Sequence, residues 1–125
     1  MTSQSANQRK YPYQNEPTWS RLEKTIARAV FDAALNRELH EVMQEAKEMA
    51  NQITTPSDLW QLERHLTQRR KDIDRKYDFC SSRLTRVLGR LLSEHRVTEE
   101  QLRGLREDKL RAIHSCAQFF AEDAA

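Results

Sequence analysis

The stretch from Thr55 to Asp78 constrains the fold of this chain more than any other. Thr55 can cap a helix, Pro56 suits the first helical position, and Asp58 follows three residues after the cap. Apolar residues then recur at three, four or seven residues: Leu59, Leu62, Leu66, Ile73, Tyr77 and Cys80. This spacing puts them on one face of a helix that begins at Pro56. We label this predicted helix α2, because another long helix precedes it, and call its apolar face the α2 seam. Arg69 and Arg70 interrupt the seam, and Trp60 lies beside it.

Another long helix is predicted on the N-terminal side of this one. Ser20 and Glu23 have the spacing of a capping box, although Thr18 is an alternative cap, and apolar periodicity continues to about Gln52. At about 1.5 Å per residue, such a helix is on the order of 50 Å long. Because the break at Thr54 is short, we expect the two helices to form an antiparallel hairpin. Two helices shield each other only in part, so we also expect a homodimer.

The residues after Asp78 predict a small helical head. The second helix either continues to about Glu94 or bends or ends within residues 77–82, where the pattern is less regular. Gly89 lies among leucines and would allow another helix to approach closely. Thr98 and Gln101 have the spacing of a second capping box and predict that the last helix begins there, with Val97 and Leu102 as a hydrophobic staple.

Composition supports an all-α protein. The chain has 125 residues, of which 32% are charged and only two are glycine. We predict a disordered arm at residues 1–17 and one helical domain at 18–125, divided into a stalk hairpin at 18–80 and a head at 81–125. No apolar run approaches the roughly 20 residues that span a bilayer, and the N-terminus lacks the apolar core of a signal peptide, so we expect a cytoplasmic protein.

The sequence carries no recognisable catalytic motif. It contains no glycine-rich phosphate loop, no His-Glu-x-x-His and no nucleophile elbow. Its histidines are scattered, and Cys80 and Cys116 have no ligand or disulfide spacing. We therefore predict a binding protein that is not an enzyme, with no cofactor and no metal.

The predicted second helix is rich in basic residues, which raises the possibility of nucleic-acid binding. These residues are Arg64, Arg69, Arg70, Lys71, Arg75 and Lys76. Acidic residues are interleaved with them, and the net charge is only +2, so a solvated face is the favoured interpretation. Trp60 is either a core residue or the aromatic anchor of a protein interface, and a dimer interface would satisfy both.

The same residues resemble the signature of the fluorescence recovery protein family of cyanobacteria. The matching residues are Asp58-Leu-Trp-Gln-Leu62, Leu66, Arg70, Ile73-Asp74 and Lys76-Tyr77-Asp78. Matches in the same register outside this stretch include Trp19-Ser20, Phe31, Arg37-Glu-Leu39, Leu91-Leu92, Asp108-Lys109 and Ile113. The resemblance implies an all-helical dimer with an antiparallel stalk and a small head.

The resemblance also implies a function. Members of the family bind the photoactivated red form of the orange carotenoid protein, mainly through its C-terminal domain. They speed its return to the orange form and help to detach it from the phycobilisome. Leu59, Trp60 and Arg70 match family residues near the dimer interface and the partner-binding surface, and Leu62 belongs to the same motif.

The chain departs from the family pattern at four positions. Glu63-Arg64 stands where the family has His-Asp, Arg75 replaces a glycine, and Arg86 replaces an exposed phenylalanine of the head that contacts the carotenoid protein. Glu63, Arg64 and Arg86 are therefore included in the predicted interface as positions that set specificity. They leave open the alternative of a related dimeric scaffold that binds another protein, with nucleic acid as a less favoured target.

Overall fold

The computed structural model describes residues 18–124, and these form four α-helices. They are α1 (Arg21–Asn51), α2 (Pro56–Lys76), α3 (Leu84–Ser93) and α4 (Glu107–Ala124), with a 3-10 turn at Ser81–Arg83 before α3. No β-strand occurs between residues 18 and 124. The prediction of an all-α chain is confirmed, while the arm predicted at 1–17 lies outside the described residues.

Both predicted helix starts are confirmed by complete capping boxes. The Ser20 hydroxyl accepts from the Glu23 backbone at 3.1 Å, and the Glu23 carboxylate accepts from the Ser20 backbone at 3.0 Å. Thr55 and Asp58 exchange the equivalent bonds at 3.3 and 3.2 Å. Ser20 is therefore the cap of α1, and Thr55 starts α2 with Pro56 in the first turn.

The contacts between α1 and α2 run in opposite order along the two helices. Glu38 of α1 lies 2.9 Å from the ammonium of Lys76, near the end of α2. Glu45, further along α1, lies 2.7 Å from His65, nearer the start of α2. Because a residue later in α1 contacts a residue earlier in α2, the two helices are antiparallel where they touch.

The helix α2 ends at Lys76, so the alternative in which it continues to about Glu94 is wrong. The chain leaves the helix there because its next aromatic residues pack on α1. Tyr77 and Phe79 both meet the Phe31 ring edge to face, with ring centroids 5.4 and 5.2 Å away. Edge-to-face contacts stabilise an aromatic pair beyond the gain from burying the two rings.

The predicted start of the last helix at Thr98 is also wrong, because α4 begins at Glu107. The hydrogen bonds of the predicted box are present, with Thr98 and Gln101 bonded at 2.9 and 3.2 Å. They close only one turn, since Gly104 adopts a φ of 103°, outside the helical region. The chain then redirects at Leu105 and starts α4 two residues later.

One hydrophobic core joins the first half of α1 to α3, α4 and the connection between them. Its buried residues are Trp19, Ala27, Val30, Phe31, Ala34, Leu84, Val87, Leu88, Leu91, Val97, Leu102, Leu105 and Ile113. The helices α3 and α4 touch most closely at Gly89, where an added Cβ would come within 2.4 Å of the Cys116 Cβ. The close approach expected at Gly89 is therefore confirmed.

Candidate functional site

The α2 seam leaves large apolar side chains in contact with solvent. Leu59 and Trp60 are 45% and 56% exposed, and Leu66 is 37% exposed. Leu62 is half-buried, whereas Ile73, three turns further along, is buried. The beginning of α2 therefore presents an apolar surface that no described part of the chain covers.

The charged positions of the motif lie on the same exposed side of α2. Glu63 and Arg70 follow Leu59 at helical spacings, so Leu59, Glu63 and Arg70 form one line along the helix. Arg64 is exposed beside Trp60, one turn away. The Arg70 side chain is 87% exposed and lies 4.0 Å from Asp74, a contact that solvent screens strongly. Its guanidinium is thus available for a partner.

The remaining predicted site residue, Arg86, is not brought together with Leu59 and Trp60. It lies on α3, where its guanidinium is over the Phe120 ring at 5.9 Å from the centroid. Together with Arg75, it lines a groove at the C-terminal end of α2. At 1.5 Å per residue, Arg75 is about 24 Å along α2 from Leu59, so the two ends of this helix carry separate surfaces.

The helix α1 adds exposed apolar side chains of its own. Leu39 and Met43, one turn apart, are 40% and 53% exposed. Glu38 and Glu45 mark the side of α1 that contacts α2, and Glu41 faces Arg96, so Leu39 and Met43 lie on the opposite flank. Both helices of the antiparallel pair therefore leave apolar surface uncovered.

A group of charged and polar side chains, centred on the buried residues Glu38 and Lys76, holds the end of α2 against α1 and the end of α3. We call it the Glu38 cluster; its members are Glu38, Glu41, Arg69, Lys76, Tyr77, Glu94 and Arg96. Glu38 is fully buried, and its carboxylate accepts from the Tyr77 hydroxyl at 2.8 Å and from Lys76 at 2.9 Å. Lys76 also donates to Glu94 at 2.8 Å. Each buried charge is therefore paired, as burial away from water requires.

Two arginines complete the Glu38 cluster. Arg69 lies 3.4 Å from Glu38 and 3.1 Å from Glu45, while Arg96 lies 3.3 Å from Glu38 and 2.7 Å from Glu41. Arg37 donates to the Arg96 backbone oxygen. The cluster thus joins α1, α2 and the turn after α3, and it holds the end of α3 against the two long helices.

The contacts within the cluster shift the pKa of four of its members, Glu41, Tyr77, Glu94 and Arg96. Burial opposes ionisation of Glu94, but Lys76, Arg90 and Arg96 together outweigh burial and lower the pKa of Glu94. The bond from Arg96 lowers the pKa of Glu41 and raises the pKa of Arg96. Burial, followed by the bond to Glu38, raises the pKa of Tyr77. These shifts favour the charged forms of Glu41, Glu94 and Arg96 and the protonated form of Tyr77, which are the forms that make the observed bonds.

Sequence reasoning missed this cluster, although a signal for it was present. Glu38 lies between Leu35 and Val42 in the apolar stripe of α1, at a position where a charge needs a buried partner. Arg69, which interrupts the α2 seam, is that partner, together with Lys76. Because Arg69 and Lys76 are committed to Glu38, two of the six basic residues considered for nucleic-acid binding are not free to bind phosphate.

The described residues offer no metal site and no membrane span. Between residues 18 and 124, no three His, Cys, Asp or Glu side chains are grouped so as to hold a metal ion. None of the helices described is both long and apolar enough to cross a bilayer. Cys80 is exposed and Cys116 is half-buried, and no disulfide joins them.

Comparisons with known proteins agree with this arrangement. A family described as "Photoprotection regulator fluorescence recovery protein" matches residues 19–117. The fluorescence recovery protein of Synechocystis sp. is 38% identical over 103 residues, which cover 82% of this chain and 94% of that protein.

Solved structures of such proteins match the fold as well. The fluorescence recovery protein of Fremyella diplosiphon has 36% sequence identity and a TM-score of 0.76, and the match covers 81% of this chain and 99% of that one. The Synechocystis structure has 38% identity and a TM-score of 0.77, with the same coverage of 81% and 99%. An arginine-to-lysine variant of that protein gives 37% identity and a TM-score of 0.77, with coverage of 81% and 99%.

The family match spans well over half of the described residues and includes both the α2 seam and the Glu38 cluster. Sequence identity and the course of the backbone lead to the same group of proteins. The chain therefore belongs to the fluorescence recovery protein family of photoprotection regulators.

Proposed function

We propose that this protein is a homodimeric regulator that binds the photoactivated orange carotenoid protein through the C-terminal domain of that partner. It accelerates the return of the partner from the red to the orange form and detaches it from the phycobilisome, in the cytoplasm and without a cofactor. Residues 18–80 form the dimeric stalk and residues 81–125 the head.

The observation that carries this proposal is the uncovered α2 seam. Leu59 and Trp60 belong to the stretch that resembles the family signature, and both are about half exposed, at 45% and 56%. A tryptophan beside an exposed arginine is the composition that protein interfaces use for anchor residues. The seam thus supports a dimer in which the second copy packs on the apolar residues, while the exposed Arg70 contacts a partner.

Such a regulator acts by differential affinity. A protein that binds the open and compact forms of its partner equally well shifts neither the equilibrium nor the rate. Acceleration requires tighter binding to the arrangement between the two forms than to the open form. No bond of the partner is made or broken, which agrees with membership in a regulatory family.

The test is the dark recovery of photoactivated orange carotenoid protein, followed by its red absorbance with and without this protein. We expect faster recovery with the wild type and loss of the acceleration with Arg70→Glu. Arg103→Glu is the matched control, because Arg103 is also exposed but lies in the connection between α3 and α4. Equal activity of the Arg70 variant and the wild type would remove Arg70 from the proposed binding surface.

A second candidate is a different protein partner on the same scaffold. Glu63 and Arg64 are exposed on α2 and Arg86 on α3, so their charges face solvent where a partner must approach. Charge reversal in a contact surface opposes the original partner. Wild-type protein that neither accelerates recovery nor co-elutes with the carotenoid protein would favour this second candidate.

A further inference from the structure

A groove lies beside the start of α1, at the opposite end of the antiparallel helix pair from Leu59. It has a volume of about 570 Å³ and is lined by Phe79, which follows α2, and by one face of α1 that runs from Arg21 to Asp32. The guanidinium carbon of Arg28 lies 4.5 Å from the centroid of the Phe79 ring. A cation and an aromatic ring therefore meet in this groove, which we call the α1 groove.

The N-terminal end of the α1 groove is cationic. Arg21 and Lys24 are exposed there, and neither makes an ion pair with any residue from 18 to 124. Arg28, one turn further along, pairs with Asp32 at 3.3 Å, so the acid in the groove has its own cation. The dipole of a helix disfavours cations in the first turn, so Arg21 and Lys24 lack the counter-charge that this position needs. The groove therefore favours an anionic ligand at this end.

The last turns of α4 carry the opposite chemistry. Phe119 is 62% exposed and meets Phe120 edge to face, with the ring centroids 5.5 Å apart. Glu122 and Asp123 follow Phe119 at spacings of three and four residues, so the three side chains share one face of α4. Both acids are exposed, and the last turn of α4 has no basic residue, although the helix dipole favours cations at this end. This face is therefore apolar at Phe119 and anionic after it.

The two surfaces match in spacing as well as in charge. At 1.5 Å per residue, Phe119 lies about 4.5–6 Å along α4 from Glu122 and Asp123, and Arg28 lies about 6 Å along α1 from Lys24. An α4 end laid antiparallel on α1 therefore places its aromatic ring near Arg28 while its carboxylates reach Lys24. In this arrangement the negative end of the α4 dipole meets the positive end of the α1 dipole, which relieves the unfavourable charges of both helix ends.

The described structure does not make this contact within one chain. The end of α4 lies on α3, where the guanidinium carbons of Arg86 and Arg90 are 5.9 and 5.8 Å from the Phe120 centroid. The described lining of the α1 groove includes no residue of α4. Residues 1–17 contain two basic residues and one acidic residue, so they offer the groove no net negative charge. A second copy, by contrast, supplies an α4 end with the complementary charge.

We propose that the α1 groove is a second interface between copies of this chain, which receives the end of α4 from another copy. The exposed phenylalanine of that copy packs beside Phe79, and its two carboxylates reach Arg21 and Lys24. Aromatic and arginine residues dominate the binding energy of protein interfaces. Because Leu59 is about 26 Å along α2 from Lys76, this interface leaves the α2 seam uncovered. The inference thus goes beyond the proposed function and does not require the seam dimer.

The first experiment measures self-association and its dependence on salt. The mass of the full-length protein is followed by sedimentation equilibrium from about 10 µM to about 1 mM, at about 50 mM and about 500 mM salt. We expect the mass to rise above twice 14.8 kDa with concentration at the lower salt, and to rise far less at the higher salt. Phe119→Ser should shift this rise to about tenfold higher concentration, which corresponds to 1.4 kcal/mol.

An exchange of charges identifies the two surfaces. The groove variant Arg21→Glu/Lys24→Glu and the tail variant Glu122→Lys/Asp123→Lys should each lose the rise in mass, because like charges then face each other. An equimolar mixture of the two variants should regain it, since each groove then meets a tail of opposite charge. Both variants introduce charges that the helix dipoles favour, so we expect them to keep the helical circular dichroism of the wild type.

The matched control for the groove variant is Lys47→Glu/Lys71→Glu, which changes the net charge equally at exposed positions outside the groove. This control should keep the rise in mass. A wild-type mass that does not rise, a rise that the groove variant keeps, or a mixture that does not associate would overturn the second interface. Wild-type protein that binds phosphatidylserine vesicles through the groove, without any rise in mass, would also overturn it and identify a lipid surface instead.

Leu59→Glu separates this inference from the proposed function. If the seam forms the dimer, this variant should have the mass of one chain at low concentration and should still associate as the concentration rises. A Leu59→Glu protein that stays at one chain up to about 1 mM would overturn the second interface. If Leu59→Glu remains a dimer at low concentration, or if the wild type does not accelerate recovery of the carotenoid protein, the proposed function fails. The exchange of charges then decides the second interface.

Discussion

At the residue scale, Glu23 shows how one side chain joins distant parts of this chain. Its carboxylate accepts from the Ser20 backbone and, at 3.0 Å, from the backbone of Arg106, 83 residues later. It also lies 3.2 Å from the buried ammonium of Lys109. The buried Glu23 carboxylate therefore completes the capping box of α1, accepts a hydrogen bond from the backbone just before α4 and pairs with a buried cation.

Glu23 predicts a loss of stability in acid. Burial opposes its ionisation, but the bonds from Ser20, Arg106 and Lys109 outweigh burial and lower its pKa from 4.5 to about 2. The unfolded chain therefore binds the proton first, and the stabilisation is present above pH 4.5 and lost as the pH falls toward 2. Melting temperatures from pH 5 to 2.5 should show this fall in the wild type.

The variant Glu23→Gln provides the comparison for that fall. It should unfold about 3 kcal/mol more easily at neutral pH, because Lys109 is left buried without its partner. It should also lack the Glu23 part of the acid dependence. Parallel pH curves for variant and wild type would show that the titration comes from other groups.

His95 predicts a stabilising substitution. It follows α3 with a φ of 61°, and the turn is closed by bonds from His95 to Leu92 at 3.1 Å and from Arg96 to Leu91 at 2.9 Å. Glycine is the usual residue at this position, since a Cβ costs about 1 kcal/mol there. His95→Gly should raise the Tm by about 4 °C. His95→Ala keeps the Cβ and should bring no such gain; an equal gain from both would contradict the backbone explanation.

At the element scale, the close contact of α3 and α4 depends on a residue that disfavours helices. An alanine at position 89 would improve helix propensity by about 1 kcal/mol. In the fold, however, its Cβ would lie 2.4 Å from the Cys116 Cβ and 2.9 Å from the Ile113 backbone oxygen. The close contact between α3 and α4 therefore decides whether Gly89→Ala raises or lowers the stability.

We expect Gly89→Ala to lower the free energy of unfolding by about 1–3 kcal/mol, as overpacking does in other cores. Urea unfolding measured by circular dichroism is the appropriate assay. An increase in stability would mean that helix propensity outweighs packing and that α3 and α4 separate easily.

At the element scale, local sequence patterns predict some helix boundaries and fail at others. Both capping boxes of the long helices are predicted correctly because their bonds join residues three positions apart. The end of α2 stays open between two alternatives in the sequence, and the start of α4 is predicted wrongly, because both depend on Phe31 and Glu23, which are far away in sequence. Burial of Glu38 likewise depends on partners from two distant parts of the chain, the end of α2 and the turn after α3.

At the scale of the whole molecule, the exposed apolar residues of α1 and α2 suggest how two copies associate. Apart from Leu22 at the start of α1, the large exposed apolar residues on these helices are Leu39, Met43, Leu59, Trp60 and Leu66. Exposed apolar surface of this extent favours self-association. The homodimer is therefore a proposal that a mass measurement can test directly.

We expect Leu59→Glu, and to a lesser extent Trp60→Ala, to lower the mass measured by light scattering from twice 14.8 kDa toward 14.8 kDa. A carboxylate buried in the interface costs several kcal/mol, whereas truncation of Trp60 removes only its contacts. Leu22→Glu is the control, since Leu22 is 67% exposed and lies outside the seam. An unchanged dimer would show that the two copies meet elsewhere.

The sequence by itself determined the helical class, the start of α1 close to Ser20, the cap of α2 at Thr55 and the apolar seam of α2, because these depend on residues within one or two turns. Only the tertiary structure decided that α2 stops at Lys76, that α4 waits until Glu107 and that Glu38 is buried with Lys76 and Arg96. The reason is physical, because the position of a buried charge or an aromatic ring depends on partners that are distant in sequence. A local sequence pattern does not identify those partners.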